Sequence, residues 1–272
     1  GTAKQSRARN CFFGENIMTN FAEQFPVVFG ALNEGFIKTL ALFAVTLIGA
    51  LPLGLLVYFG EVNSWAPFAS LAKKIFVKGS KNRFAAWLAE FCPIAAAVKF
   101  IIWVVRGTPL MLQLLVIYYF PGLVWDNPIW GSGAEGRFLA SAAAFVFNYA
   151  CYFAEIYRGG IQSVPKGQTE AGQVLGMTKS QIFFKITLLQ TVKHILPPIS
   201  NEIITLVKDT SLSRVVALQE IIWMGEAFLK GSRGIAGAIW PLFFTGIYYL
   251  AFSGVLTAIL NRAERRLDFF RA

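Results

Sequence analysis

One histidine, His194, serves 272 residues, and the three cysteines (Cys11, Cys92, Cys151) show no CxxC spacing. With a single imidazole, the His-rich zinc and acid–base constellations cannot be assembled. An odd, scattered set of thiols implies neither a disulfide framework nor a metal site. Charge is scarce too: Asp, Glu, Lys and Arg make up 15% of the chain, against about 25% in soluble domains. The sequence holds no GxxxxGK[ST] phosphate loop, so any ATP is expected on a separate chain. No repeat at fixed period and no nucleophile–base constellation is visible, which makes an enzyme a poor fit.

What the chain has instead is apolar surface: 56% hydrophobic residues, 15% aromatic, mean hydropathy +0.55. So few charges cannot cover that surplus in water, which excludes an ordinary soluble enzyme or a disordered chain and points to an integral membrane protein. The net charge of +10 fits cytoplasmic loops under the positive-inside rule better than it fits nucleic acid.

A membrane-crossing helix needs roughly 20 mainly apolar residues. Residues 36–59 supply the first span. The apolar stretch 91–125 is too long for one helix and splits at Arg106-Gly107-Thr108-Pro109. Thr108 as N-cap and Pro109 as first helical residue start a span at 109–125. Residues 91–105 then form an interfacial helix or an extension of that span. Further spans are expected at 138–157, 195–214 and 239–260, giving an all-α protein with five transmembrane helices. Segments 60–108, 154–194 and 261–272 carry seven, five and four Lys/Arg against two acids each. The opposite segments 1–35, 121–137 and 208–238 carry three, one and four against three, two and three. The basic side is cytoplasmic, so the N-terminus is expected outside and the C-terminus inside. The organisation reads as an extracytoplasmic segment 1–33 (with 1–17, ahead of Met18, read as an extension), a transmembrane domain 34–265 and a cytoplasmic tail 266–272.

The unusual stretch is 159–198, on the cytoplasmic side between spans three and four, far longer than the 2–8 residues usual within a bundle. Gly159-Gly160 and Pro165 are expected to end the third helix. Residues 169–178 have helical spacing, with Gly172 and Gly176 leaving a flat face for a second chain. An interfacial helix packed on its own bundle is the alternative.

Glu170-Ala171-Gly172, followed by Gly176, resembles the EAA loop of ABC importer permeases. RGTPLMLQLL (106–115), AEIYRGGI (154–161) with GQ at 167–168, and KDTSL (208–212) resemble the polar amino-acid uptake subgroup. The resemblance implies a cytoplasmic coupling helix that docks on an ABC ATPase subunit through Gln168, Thr169, Glu170, Ala171, Gly172, Leu175, Gly176 and Met177. It also implies a second permease subunit, identical or a sister chain, an extracytoplasmic amino-acid-binding protein, and residence in the bacterial inner membrane. This chain would then bind no cofactor, ATP and Mg lying on the partner ATPase. Two departures stand out. Gly172 replaces the triplet's last Ala, and Leu188-Leu189 stands where the family has Leu-Pro, with Pro197-Pro198 later, at the entry to span four.

Among polar residues in the spans, Lys208, Asp209, Thr210 and Ser211 are the most at odds with lipid. Each charge at mid-membrane costs at least about 2.5–3.5 kcal/mol. They suit a zwitterionic substrate pathway or a structural ion pair near the outer headgroups. Gln113 and Asn148 either orient substrate or bond across helices. Arg106, with Thr108 and Pro109, reads as an interface anchor or a gate, and Glu155 with Arg158 as a local ion pair. Glu202 lies mid-span without a role. The competing functions are a stand-alone channel or secondary carrier using Lys208, Asp209 and Glu202, and an ABC permease for another small solute.

Overall fold

The computed structural model describes residues 2–65, 91–232 and 239–267, with the backbone alone for 2–22. Five cations of the basic segment 60–108 (Lys73, Lys74, Lys78, Lys81, Arg83) lie outside the described residues, as does the tail beyond Leu267. Every regular element among the described residues is helical. In chain order these are α1 (Thr2–Glu61), α2 (Pro93–Gly107), α3 (Leu110–Trp125), α4 (Ala134–Gln162), α5 (Lys166–Val174) and α6 (Lys179–Ile182). A π-helical turn (Phe183–Thr187) carries α6 into α7 (Leu188–Asp209), and a 3-10 turn (Thr210–Val216) leads to α8 (Ile221–Leu229) and α9 (Trp240–Leu267).

Among the described residues three helices are long and apolar enough to cross a membrane: Glu23–Glu61 of α1, α4 and α9. The pair α2–α3, bent by 108°, makes a fourth if taken as one broken span. The first apolar run therefore reaches well upstream of residue 36. α7 falls outside this group, because Lys193, His194, Asn201, Glu202 and Lys208 dilute its apolar residues.

α4 is the central element. Phe145, Tyr149 and Phe153 on it are buried together with Leu42 and Ala50 of α1, Leu114 of α3 and Leu206 and Val207 of α7. Small residues allow the helices to meet closely. A Cβ on Gly54 of α1 would lie 2.8 Å from Phe153 Cβ and 2.9 Å from the Ala150 carbonyl oxygen. At the other end of α1, Val28, Ala31 and Leu32 form a second buried cluster with Ile221, Met224 and Phe228 of α8.

Several local expectations need correction. Thr108 closes α2 and does not cap α3: its hydroxyl donates to the Val104 carbonyl at 2.9 Å, while Pro109 takes the N-cap position and Leu110 is first in the helix. Pro109 lacks an N–H and imposes extended backbone on its predecessor, so the helix breaks one residue later than a Thr cap would place it. Gly159-Gly160 do not end α4, which runs on to Gln162. Gly160 is buried where a side chain would collide with Ile195 of α7. α7 begins at Leu188 rather than near 195, ends at Asp209, and holds Pro197-Pro198 in its interior rather than at its entry. Neighbouring helices and local adjustments such as π turns make interior prolines tolerable in a membrane bundle.

Candidate functional site

The α2–α3 elbow is fixed by one side chain. Gln113 donates through Nε2 to the Val105 carbonyl at 2.8 Å, the Thr108 hydroxyl at 2.8 Å and the Thr108 carbonyl at 3.2 Å. Its Oε1 accepts from Asn148 Nδ2 of α4 at 2.9 Å. The two amides thus bond across helices, which occupies Gln113 fully.

At the end of α7, Lys208 is exposed and Asp209 half-buried. Tyr149 of α4 donates its hydroxyl to Asp209 Oδ2 at 2.7 Å. Thr210 is buried and gives its hydroxyl to the Val207 carbonyl at 2.6 Å, and Ser211, half-buried, follows in the 3-10 turn. Asp209 and Lys208 therefore stay at the mouth of the 3-10 turn, while Thr210 serves the backbone. Glu202, one face up α7, is half-buried and within electrostatic reach of Asp209 and Arg106.

Toward the other end of α4, Glu155 and Arg158 pair at 2.5 Å, and both reach further. Arg158 Nε lies 3.3 Å from Glu61 of α1, and Arg106 Nη1 of α2 lies 3.7 Å from Glu155. The Arg106 guanidinium sits 5.3 Å above the Tyr152 ring, a cation–π contact. Arg106 and the Glu155–Arg158 pair, read separately in the sequence, thus form one network that ties α1, α2 and α4 together.

The loop after α4 holds α5, and its geometry revises the flat-face expectation. Gly172 is buried and faces inward: a Cβ there would lie 2.8 Å from Ile182 of α6. Gly176 is not on the helix at all. It sits at φ +74°, with its N–H donating to the Gln173 carbonyl at 2.9 Å and the Met177 N–H to the Gly172 carbonyl at 3.0 Å. That is a Schellman termination, in which glycine avoids the left-handed penalty. The glycine spacing therefore serves the loop's own packing and its helix end. The open surface is made instead by Val174 and Leu175, 88% and 77% exposed, with Gln168, Glu170 and Ala171 exposed and Thr169 and Met177 half-buried. Thr178 and Gln181 then cap α6 reciprocally, backbone to side chain at 3.3 and 2.9 Å, which sets the angle between α5 and α6.

Four residues escaped the sequence reading. Tyr152 was legible: Asn148, Tyr152 and Glu155 recur at i, i+4 and i+7 in an otherwise apolar helix, a polar stripe on one face, whereas Tyr149 lies off that stripe. Glu61 carried no signal beyond its place at the end of an apolar run. Glu220 carried none. It is fully buried and caps α8, accepting the Ile222 and Trp223 N–H groups at 2.8 and 2.7 Å. Burial pushes its carboxyl up to about 7, against the opposing pull of those two N–H donors. Among the described residues no cluster of three or more His, Cys, Asp or Glu is placed to hold a metal ion.

Apolar helices packed around a polar helix end, with a short, capped helix carried on a polar loop, define an all-helical membrane protein. The chain belongs to the family described as binding-protein-dependent transport system inner membrane component, whose model matches residues 83–269. It is similar to the arginine transport system permease protein ArtQ of Bacillus subtilis (strain 168), 31% identical over 235 residues, covering 86% of this chain and 91% of that protein. It is also similar to the glutamine transport system permease protein GlnP of Escherichia coli (strain K12), 29% identical over 78% of this chain and 93% of that one. The crystal structure of an amino acid ABC transporter with histidines shares the fold at TM-score 0.69 and 25% identity, covering 91% of this chain and 97% of that chain. Family membership does not favour the stand-alone channel or carrier.

Proposed function

We propose that the chain is the membrane-spanning permease subunit of an ATP-driven importer for a polar amino acid in the bacterial inner membrane. α1, the α2–α3 pair, α4, α7 and α9 serve as five spans, with the N-terminus outside and the C-terminus cytoplasmic. The distribution of Lys and Arg supports that orientation. α7 counts as a span despite its composition, because a helix lining a polar pathway carries polar residues on that side.

The observation that carries the reading is the exposed pair Val174–Leu175 on α5, in the loop that bears Glu170-Ala171-Gly172 and Gly176. Large apolar side chains held in water on a capped helix suit a partner's groove. α5 is thus the coupling helix for a separate ATPase subunit, which binds ATP and Mg. A second permease subunit and an extracytoplasmic binding protein complete the importer. ATPase closure shifts the helices between inward- and outward-facing states favoured by different ligands.

Amino acid as the substrate class is supported by the relatives named for arginine and glutamine transport, and by Lys208 beside Asp209, which offer complementary charges to a zwitterion. Ser211 and the backbone of the 3-10 turn lie next to them. Asn148 and Gln113 support the pathway as a brace across α3 and α4, and Arg106, Thr108 and Pro109 with Glu155 and Arg158 as its inner closure.

The test is purification of the tagged chain from its native membrane in mild detergent, with mass spectrometry of what accompanies it, and uptake into proteoliposomes. The expected result is a co-purified P-loop ATPase and a second permease chain, with uptake of glutamine or arginine only when ATP is supplied. Leu175→Asp should lose the ATPase and keep the permease partner. Recovery of the chain alone, or uptake without ATP, would overturn the assignment.

A further inference from the structure

The polar groups do not stop at Asp209. Tyr149, Tyr152, Glu155 and Arg158 follow one another along α4 at three-residue spacing, each step turning the row about 60° around the helix, so that it winds from the side facing α7 toward α1 and α2. The Tyr149 and Tyr152 rings are 6.2 Å apart, Arg106 sits 5.3 Å over Tyr152, and Glu155 lies 3.7 Å from Arg106 and 2.5 Å from Arg158. An unbroken lane of polar and aromatic groups thus joins Asp209 to Glu61 at the end of α1. It descends nine residues of helix, about 14 Å at 1.5 Å per residue.

At the lower end of this lane opens a cavity of about 510 Å³, lined by Glu61, Lys99, Arg106, Tyr152, Glu155 and Arg158 among others. That size falls in the range of roughly 300–1,000 Å³ usual for small-molecule sites. α1 brings Glu61, α4 brings Glu155 and Arg158, and α2 brings Lys99 and Arg106. Arg158 is taken up by both carboxylates. Lys99 has no ion-pair partner among the described residues, and Arg106 holds Glu155 only at 3.7 Å, beyond hydrogen-bond range. Glu61, 6% exposed, has its Oε2 buried without any donor, a state that costs free energy until a donor arrives. Among the described residues, the cavity is short of a donor at Glu61 and of an anion beside Lys99 and Arg106.

We propose that this cavity is a second, cytoplasmic-side binding subsite that takes the zwitterionic head of an α-amino acid, its ammonium toward Glu61 and its carboxylate toward Lys99 and Arg106. The inference rests on the amino-acid reading given above. An ethanolamine phospholipid headgroup carries the same pairing of primary ammonium and anionic oxygen, so the experiment separates the two sources.

The experiment is equilibrium binding of radiolabelled L-arginine, L-glutamine and L-histidine to the purified importer complex, without its binding protein, in nanodiscs of phosphatidylcholine and phosphatidylglycerol. The wild type should bind one of them at two classes of site per permease chain. Lys99→Gln and Glu61→Gln should each lose the weaker class and keep the other, whose retention also reports that the variants are folded, while Lys99→Arg should keep both. A single class in the wild type, or two classes unchanged in both neutral variants, overturns the subsite and leaves the importer reading standing. Binding of none of the three overturns both. Loss of the weaker class when phosphatidylethanolamine replaces phosphatidylcholine overturns the amino acid as occupant and assigns the cavity to the lipid headgroup.

Discussion

Tyr149 on α4 donates its hydroxyl to Asp209 Oδ2 at the end of α7, 2.7 Å away and 60 residues along the chain. The contact fixes the carboxylate of the KDTSL segment against the central helix of the bundle, so the two helices cannot shift relative to one another without breaking it. A helix-to-helix bond of this kind is a suitable point for alternating access to act upon.

Tyr149→Phe removes that bond and little else. Hydrogen bonds to charged groups contribute about 1.5–3 kcal/mol. Uptake at sub-saturating substrate should therefore fall on the order of tenfold or more, with the variant still inserted and still assembled with its partners. Asp209→Asn keeps an acceptor for the tyrosine but loses the charge, and should impair uptake as well. Unaltered uptake in both variants would remove Asp209 from the pathway.

The α1–α4 crossing yields a stability prediction. Gly54→Leu drives a side chain into Phe153 and the Ala150 carbonyl. Overpacking of this type costs about 1–3 kcal/mol, so the unfolding midpoint of the detergent-solubilised protein should drop. A Cβ on Gly30 of the same helix would meet nothing within 4 Å, so Gly30→Leu should lower the midpoint far less. Equal effects from the two would show that the crossing does not depend on close backbone approach.

Glu220 gives a pH dependence whose sign follows from its environment. An unfolded Glu titrates near 4.3, whereas the buried carboxyl is pushed up to about 7. Between those values the native state holds the extra proton. Its stabilising contribution is therefore complete below about pH 4.3 and lost as pH rises through about 7, with a slope of at most about 1.4 kcal/mol per pH unit. Glu220→Gln cannot titrate. The midpoint of the wild type, taken relative to that of Glu220→Gln, should fall between pH 5 and pH 8; parallel profiles would show that Glu220 is not held protonated.

These residues also mark how far sequence alone reaches. The α2–α3 break is written locally, in Thr108-Pro109, and the loop helix is written in Pro165 and in the spacing from Glu170 to Gly176. Local chemistry of this kind survives in any fold, so the break could be read to within one residue, whereas the loop helix, expected over 169–178, runs from Lys166 to Val174, three to four residues earlier. What each glycine of the loop faces could not be read, because Gly172 is buried by Ile182, which lies beyond a capped turn whose angle only the folded chain sets. Glu220 is the extreme case. It is enclosed by α1 and α9, and the Ile221 N–H beside it bonds Thr39, 182 residues away. No neighbouring residue announces that burial. The charge network shows the intermediate case: Glu155 and Arg158 pair at i, i+3 and are legible, whereas Glu61 and Arg106 join them only through tertiary packing.

The end of α5 separates a docking effect from a backbone effect. A charge at Gly176 would act on the left-handed turn as well as on the surface, because the residue sits at φ +74°, where a residue with a Cβ costs roughly 1–2 kcal/mol. Gly176→Ala should therefore loosen the last turn of α5 and reduce capture of the ATPase although it adds no charge and removes no contact. Gly176→Asn should restore capture, since asparagine tolerates the left-handed conformation. Val174→Asp leaves the turn intact and alters only the exposed apolar surface, so it should abolish capture with no change in the unfolding midpoint. Affinity purification from membranes expressing each variant measures all three. Should Val174→Asp retain full capture while Gly176→Ala loses it, the backbone shape of the turn, rather than the apolar tip, would be what the ATPase recognises.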